Sequence, residues 1–190
     1  EIREDGSIVS PGGLAPADSY EVTIRVQEPG NHAIRLDLFR DEKLPRGGPG
    51  FASNGNFVLS EFEATVVSRE NPETSRPLKF RDVVSDHVQP GWWPRNAVDG
   101  ATHNGGYAVD GGQGSDRVLV LFSEKPFGYE GGAKLRLRLV QDHGNHHLFK
   151  HFRVSVSDRA TVNEAIVDIE LDRLSAVPRA DRTEEQRNLV

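Results

Sequence analysis

The chain contains no cysteine and no methionine among its 190 residues. Without cysteine there is no disulfide framework, so the core has to be built from apolar packing, which a chain of this length can supply. The missing disulfides leave the compartment open, since many secreted domains have none. With no methionine even at position 1, the sequence reads as a segment of a longer protein or as a processed chain. No apolar run approaches the roughly 18 residues of a membrane span. No membrane insertion is therefore expected, and no signal peptide is recognisable. A basic surplus is also missing: 23 Lys and Arg face 29 Asp and Glu, for a net charge of −6. No basic run carries interleaved aromatics, which argues against a phosphate-backbone binder and against a nucleic-acid partner. Recognisable nucleophiles are lacking too. There is no G-x-S-x-G elbow and no H-E-x-x-H, and no carboxylate pair can be set across a cleft from the sequence. The fragment is expected to be non-catalytic.

What is present is turn chemistry. The 19 glycines and 11 prolines punctuate short stretches of period two, the pattern of an all-β domain. "SYEVTIRVQ" (19–27) sets Tyr20, Val22, Ile24 and Val26 on one face, and "HAIRLDLFR" (32–40) does the same with Ile34, Leu36 and Leu38. "NFVLSEFEATVVS" (56–68), "KLRLRLVQD" (134–142) and "HFRVSVSD" (151–158) also alternate, while "DRVLVLFS" (116–123) is nearly all apolar, as in a strand buried on both sides. With short strands near Ile8 and Phe80 the count is about eight, which points to a two-sheet sandwich. After residue 158 the period changes. "ATVNEAIVDIELDRL" (160–174) places Val162, Ala165, Ile166, Ile169 and Leu174 at helical spacing. Thr183 and Gln186 form a capping box that predicts the start of a second helix. The domains expected are a β-sandwich over 1–158 and a C-terminal helix with linker over 159–190.

"LPRGGPGFASNGNFVLSEFEA" (44–64) crowds six glycines and prolines into its first dozen residues before a strand that carries Glu61. The glycines allow close backbone approach and the prolines restrain the loop, so a shaped crossover on the sandwich end is expected. Simple alternation sets Phe57, Leu59, Glu61 and Glu63 on one face, leaving Glu61 among apolar residues or beside a bulge. A carboxylate there needs a partner, whether Ca²⁺, an arginine or loop amides. "QPGWWPRN" (89–96) holds both tryptophans, fenced by Pro90 and Pro94. Rings held that way are rigid before they meet a ligand. One buried and one displayed tryptophan is the expectation, with Arg95, Asn96, Asn104 and Asp110 near in sequence as polar partners and Tyr107 as a second platform. "QDHGNHHLFKH" (141–151) carries His143, His146, His147 and His151. It reads as a hairpin turn, with zinc as the lesser alternative.

These motifs, in this order, resemble the β-sandwich insert of the large planctomycete proteins that carry cytochrome-like haem domains and a PSD1 region. The matching segments are Asp5–Ser7, Leu44–Phe62, Asp99–Tyr107 and Gln141–Ser155, followed by "RTEEQ". Tyr107 stands where that family usually has tryptophan. The insert is similar in turn to galactose-binding-like, discoidin-type jelly rolls, and "PRNAVDGATHNGGYAV" (94–109) looks like their Asp-Gly loop. The resemblance implies a jelly-roll β-sandwich of an extracytoplasmic protein, with a polysaccharide or oligosaccharide and the neighbouring domains as partners. It also implies a structural Ca²⁺ held by Glu61, Asp99, Thr102 and Asn104, an oxygen set of the kind Ca²⁺ takes. The expected function is a non-catalytic carbohydrate-binding module contacting its ligand through Trp92, Trp93, Arg95, Asn96, Asn104, Tyr107 and Asp110. The alternatives are a docking domain without glycan affinity and an enzymatic role completed by neighbouring domains.

Overall fold

The structure is a computed structural model that describes residues 1–12, 15–102 and 105–183. Among these residues eleven strands run in chain order: β1 (Ile8–Val9), β2 (Asp18–Val26), β3 (Asn31–Phe39), β4 (Val58–Leu59), β5 (Glu61–Ser68), β6 (Ser75–Pro77), β7 (Phe80–Ser85), β8 (Tyr107–Ala108), β9 (Arg117–Phe127), β10 (Ala133–Gln141) and β11 (His151–Ser157). The one α-helix among the described residues, α1 (Val162–Ala176), follows. The strands form a five-stranded sheet of order β1-β11-β3-β9-β7, a four-stranded sheet of order β2-β10-β5-β6, and the small pair β4-β8. Every pairing is antiparallel. Consecutive strands β1, β2, β3 and β5, and again β9, β10 and β11, change sheet at each step. This interleaving is that of a jelly roll, with β7 as an added edge strand.

The period-two signal maps directly onto the two layers. On β10, Leu135, Leu137 and Leu139 enter the core while Lys134, Arg136 and Arg138 stay exposed. They meet Ile34, Leu36 and Leu38 of β3 and Leu119 and Leu121 of β9 in one apolar cluster between the sheets. The two-sided apolarity of β9 also has its reason. Val120 and Phe122 point the other way and pack with Ala33 against Ala165 and Ile169 of α1. The helix thus covers the outer face of the five-stranded sheet. Its start is set by a capping box in which Thr161 Oγ1 accepts from Glu164 N at 3.3 Å and Glu164 Oε2 accepts from Thr161 N at 3.0 Å. The second helix expected from Thr183 onward falls on 184–190, outside the described residues.

The glycine-proline loop closes one end of the sandwich. Phe51 N donates to Leu148 O at 2.9 Å and Lys150 N to Pro49 O at 3.1 Å, so the loop lies along the histidine turn before β11. A Cβ on Gly50 would land on the carbonyl of Asn56 and within 2.9 Å of Phe57 N. The loop's two arms touch backbone to backbone there, and only glycine permits it. The loop then delivers the chain into β4 and β5. The face assignment over 57–63 is corrected here. Phe57 and Leu59 are in the core, and so are Phe62, Ala64 and Val66. The alternation breaks between Leu59 and Phe62, so Glu61 and Glu63 face away from the core that Phe57 and Leu59 enter.

Candidate functional site

The tryptophan loop is positioned from both sides. Trp92 N donates to Gln89 O at 2.9 Å across a turn whose second residue is Pro90 and whose third, Gly91, has φ of 84°. That is the residue pattern of a type II turn. Trp93 then precedes a short 3₁₀ helix over Pro94–Val98, and Asn96 N donates to Trp93 O at 2.9 Å. The two rings have different surroundings. Trp92 is half-buried over Gly105 and meets His143 edge to face, 5.0 Å between centroids, and His143 in turn meets His147 at 4.7 Å. Burial, and then His147, hold the His143 imidazole below its usual range. Trp93 is 54% exposed. Trp93 is displayed as the sequence suggested, while Trp92 is half-buried and not the buried ring expected.

A chain of amides holds this loop to its neighbours. Gln89 Oε1 accepts from Asp110 N at 2.8 Å and from Asn56 Nδ2 at 3.2 Å, and Asn56 Oδ1 accepts from Val109 N at 2.9 Å. Asp110 Oδ1 accepts from Asn54 Nδ2 at 3.4 Å and also from Gln113 Nε2. Asp110 is exposed and beside the loop, as expected, but its carboxylate is already engaged. Arg95 donates to Arg81 O at 2.6 Å and so ties the 3₁₀ helix to β7. Asn96 is half-buried within that helix. Asn104 lies outside the described residues.

Tyr107 is not a second platform. It is fully buried, edge to face on Phe57 at 5.8 Å, with its hydroxyl 2.5 Å from Ser85 Oγ. Burial drives its phenol far above the usual range. Its pairing in β8 with Leu59 of β4 turns the ring inward, so it supports the loops from beneath.

The residues expected to hold a metal come together in part. Glu61 is 6% exposed, and its Oε2 accepts from Gly100 N at 3.0 Å. Asp99 Oδ1 accepts from Ala101 N at 2.9 Å, and Thr102 is half-buried nearby in the same loop. Of the partners the sequence left open for Glu61, the one seen is a loop amide, supplied by the Asp-Gly turn and not by the glycine-proline stretch. Among the described residues, no three His, Asp or Glu form a group arranged to hold a metal. Burial pushes the Glu61 carboxyl above its usual range. The Gly100 amide opposes that shift, and the charges of Asp99 and Glu63 reinforce it. A carboxyl raised on folding contributes stability that is fully present below its unfolded pKa, about 4.3, and is lost as pH rises through the folded value. Glu61→Gln removes that loss. The melting-temperature difference, variant minus wild type, is expected to become more positive between about pH 4 and pH 7 in chelator. A difference that stays flat or falls would mean the buried carboxylate is better satisfied than its surroundings indicate.

The histidine turn is a structural turn in this fold. His146 Nδ1 is 2.9 Å from Ala15 O, His147 Nδ1 is 3.0 Å from Gly144 O, and Gln141 Oε1 accepts from Phe149 N at 2.7 Å across the turn. The sequence reading missed the meeting of His143 with Trp92 and the roles of Gln89, Asn54, Asn56 and Gln113. The one available signal was that Asn54, Asn56 and Gln89 flank the loop motifs themselves. Compared with protein-family models, with curated proteins and with solved structures, the chain gives no match.

Proposed function

We propose that this domain is a non-catalytic carbohydrate-binding module of a larger extracytoplasmic protein. The observation that carries the reading is Trp93, an indole 54% exposed on a loop restrained by two prolines, a turn and a 3₁₀ helix. A rigidly held, exposed indole offers a broad apolar face with a polar N–H at its edge, and the apolar C–H face of a sugar ring fits it. The loop is anchored by the Gln89–Asn56–Asp110 network, so ordering it on binding costs little. Trp92, Arg95, Asn96 and Asp110 lie on or beside this loop and supply edges and polar groups to the sugar hydroxyls. Tyr107 acts only from beneath. The same reading includes a structural Ca²⁺ at Glu61 and Asp99, whose mutual repulsion a cation relieves. The carboxylates near the outer face of the five-stranded sheet do not resemble a hydrolytic pair. Asp37 is held by Arg35 and Arg153, Asp86 by Arg117, and Asp172 by Arg35.

Affinity electrophoresis over a panel of neutral polysaccharides, with Ca²⁺ and with chelator, tests this. Trp93→Ala should weaken binding at least about tenfold and leave the melting temperature unchanged, because the ring is exposed. Chelator should weaken it also. A panel with no retardation at all, or a Trp93→Ala variant that binds like wild type, would remove the proposal.

A second reading has its own observation. A groove of about 440 Å³ between α1 and β7 is lined by Val83, Val84, Val88, Pro94, Ile166 and Glu170. Ile166 of that lining is exposed, as are Val167 and Leu171 of the same helix. An apolar groove of this kind suits docking of a neighbouring domain, and this becomes the preferred function if no glycan binds.

A further inference from the structure

The edges of the two larger sheets are not alike. β1 has two residues, β6 has three and ends in Pro77, and β7 carries a register shift against β9 between Phe80 and Asp82. Short length, proline and bulges are the usual ways to blunt an edge. β2 uses none of them. It runs nine residues without proline or glycine, in unbroken register with β10 from Asp18↔Gln141 to Val26↔Ala133. Its other side pairs with no strand among the described residues.

The side chains of β2 say what would fit there. Tyr20, Val22, Ile24 and Val26 face inward, while Glu21, Thr23 and Arg25 face out and are exposed. Arg25 has Lys134 as its register partner on β10, a like charge. Arg138, the register partner of Glu21, is engaged by Glu63 at 2.9 Å. Neither Glu21 nor Arg25 has an ion-pair partner among the described residues. Beside the strand an apolar groove runs along the seam between the sheets, past Ile2, Ile8, Val9, Tyr20, Val22 and Phe152.

An antiparallel neighbour with the same sequence must set outward residues opposite outward residues, which requires the two-fold axis to pass through a residue. An axis at Glu21 sets glutamate against glutamate, and one at Arg25 sets arginine against arginine. An axis at Val22 leaves Glu21 facing Thr23 and Arg25 facing Ser19, and one at Ile24 leaves Glu21 facing Gln27 and Arg25 facing Thr23. An axis at Thr23 alone places Glu21 opposite Arg25 of the second copy, and Arg25 opposite its Glu21. The inner face then pairs Val22 with Ile24 and Tyr20 with Val26. We propose that β2 pairs with β2 of a second copy of this chain, antiparallel about a two-fold axis at Thr23, joining two four-stranded sheets into one.

The lack of cysteine makes the test clean. In this register the two Thr23 Cα atoms would lie roughly 4.5–5.5 Å apart, within reach of a disulfide. Thr23→Cys under mild oxidant should give a covalent dimer, and Ser19→Cys, far from its own counterpart, should not. By sedimentation the wild type should be a dimer. Arg25→Glu should weaken it at least about tenfold, and the charge swap Glu21→Arg/Arg25→Glu should restore it. Glu21, Thr23 and Arg25 are exposed and Ser19 is half-buried, and melting curves confirm that each variant is folded. A wild type that stays monomeric at about 100 μM, a Ser19→Cys variant that cross-links as well as Thr23→Cys, or a charge swap that fails to recover the dimer would each overturn the proposal.

Discussion

Gly106→Ala is expected to destabilise the domain by about 3 kcal/mol, a fall of roughly 6 to 12 °C in melting temperature for a chain of this size. Two effects add. Gly106 has φ of 136°, a conformation essentially closed to residues with a side chain. A Cβ placed there would strike the carbonyl oxygen of Leu59 and come within 2.7 Å of Ser60 Cα. Both are backbone atoms of the β4–β5 junction and cannot swing aside as a side chain would. The approach has a purpose, because it brings β8 against β4 and seats Tyr107 under the tryptophan loop. Gly114→Ala is the control. Its position has nothing within 4 Å and no positive φ, so it should stay within about 0.5 kcal/mol of wild type. Equal losses in the two variants would show that the close contact at Gly106 is not what holds the loop.

Asp86→Ala should cost about 3 kcal/mol, at the lower end of what breaking a buried ion pair costs. The Asp86 side chain is 1% exposed and that of Arg117 9%, and they meet at 3.0 Å. Asp86 Oδ1 also accepts from Val118 N at 2.8 Å, so the carboxylate serves both a charge and a strand amide. Arg117 Nε donates to Gly112 O at 2.7 Å, which keeps part of the guanidinium satisfied once its partner is gone and limits the loss. Removing both partners, as Asp86→Leu/Arg117→Leu, is expected to cost less than Asp86→Ala alone, because no unpaired charge is left behind. Urea denaturation of the wild type and these variants measures the comparison. A loss under about 1 kcal/mol for Asp86→Ala would mean water reaches the guanidinium.

The layers of this domain were legible along the chain because each strand repeats every two residues, and that period belongs to the backbone itself. Leu135, Leu137 and Leu139 set against Lys134, Arg136 and Arg138 are enough to orient β10, and the change of period after residue 158 is enough to expect α1. The apolarity of 118–122 on both faces announced a covered strand. That the cover is α1 on one side and β10 with β5 on the other depends on the sheet order. Glu61 was flagged by its place among apolar residues, yet the break in alternation before Phe62 and the Gly100 amide that meets it arise only from packing. Tyr107 misled, since a lone aromatic after a loop has no periodic neighbours to say which way it turns. The two tryptophans stood out by composition and by their prolines. The partners Trp92–His143, Gln89–Asp110 and Asp86–Arg117 join residues from turns and strands remote along the chain. Short-range periodicity follows from local backbone geometry and can be read from one strand at a time. Contacts between loops at the end of a sandwich are set by which strands become neighbours, and that is decided only when the whole chain has packed.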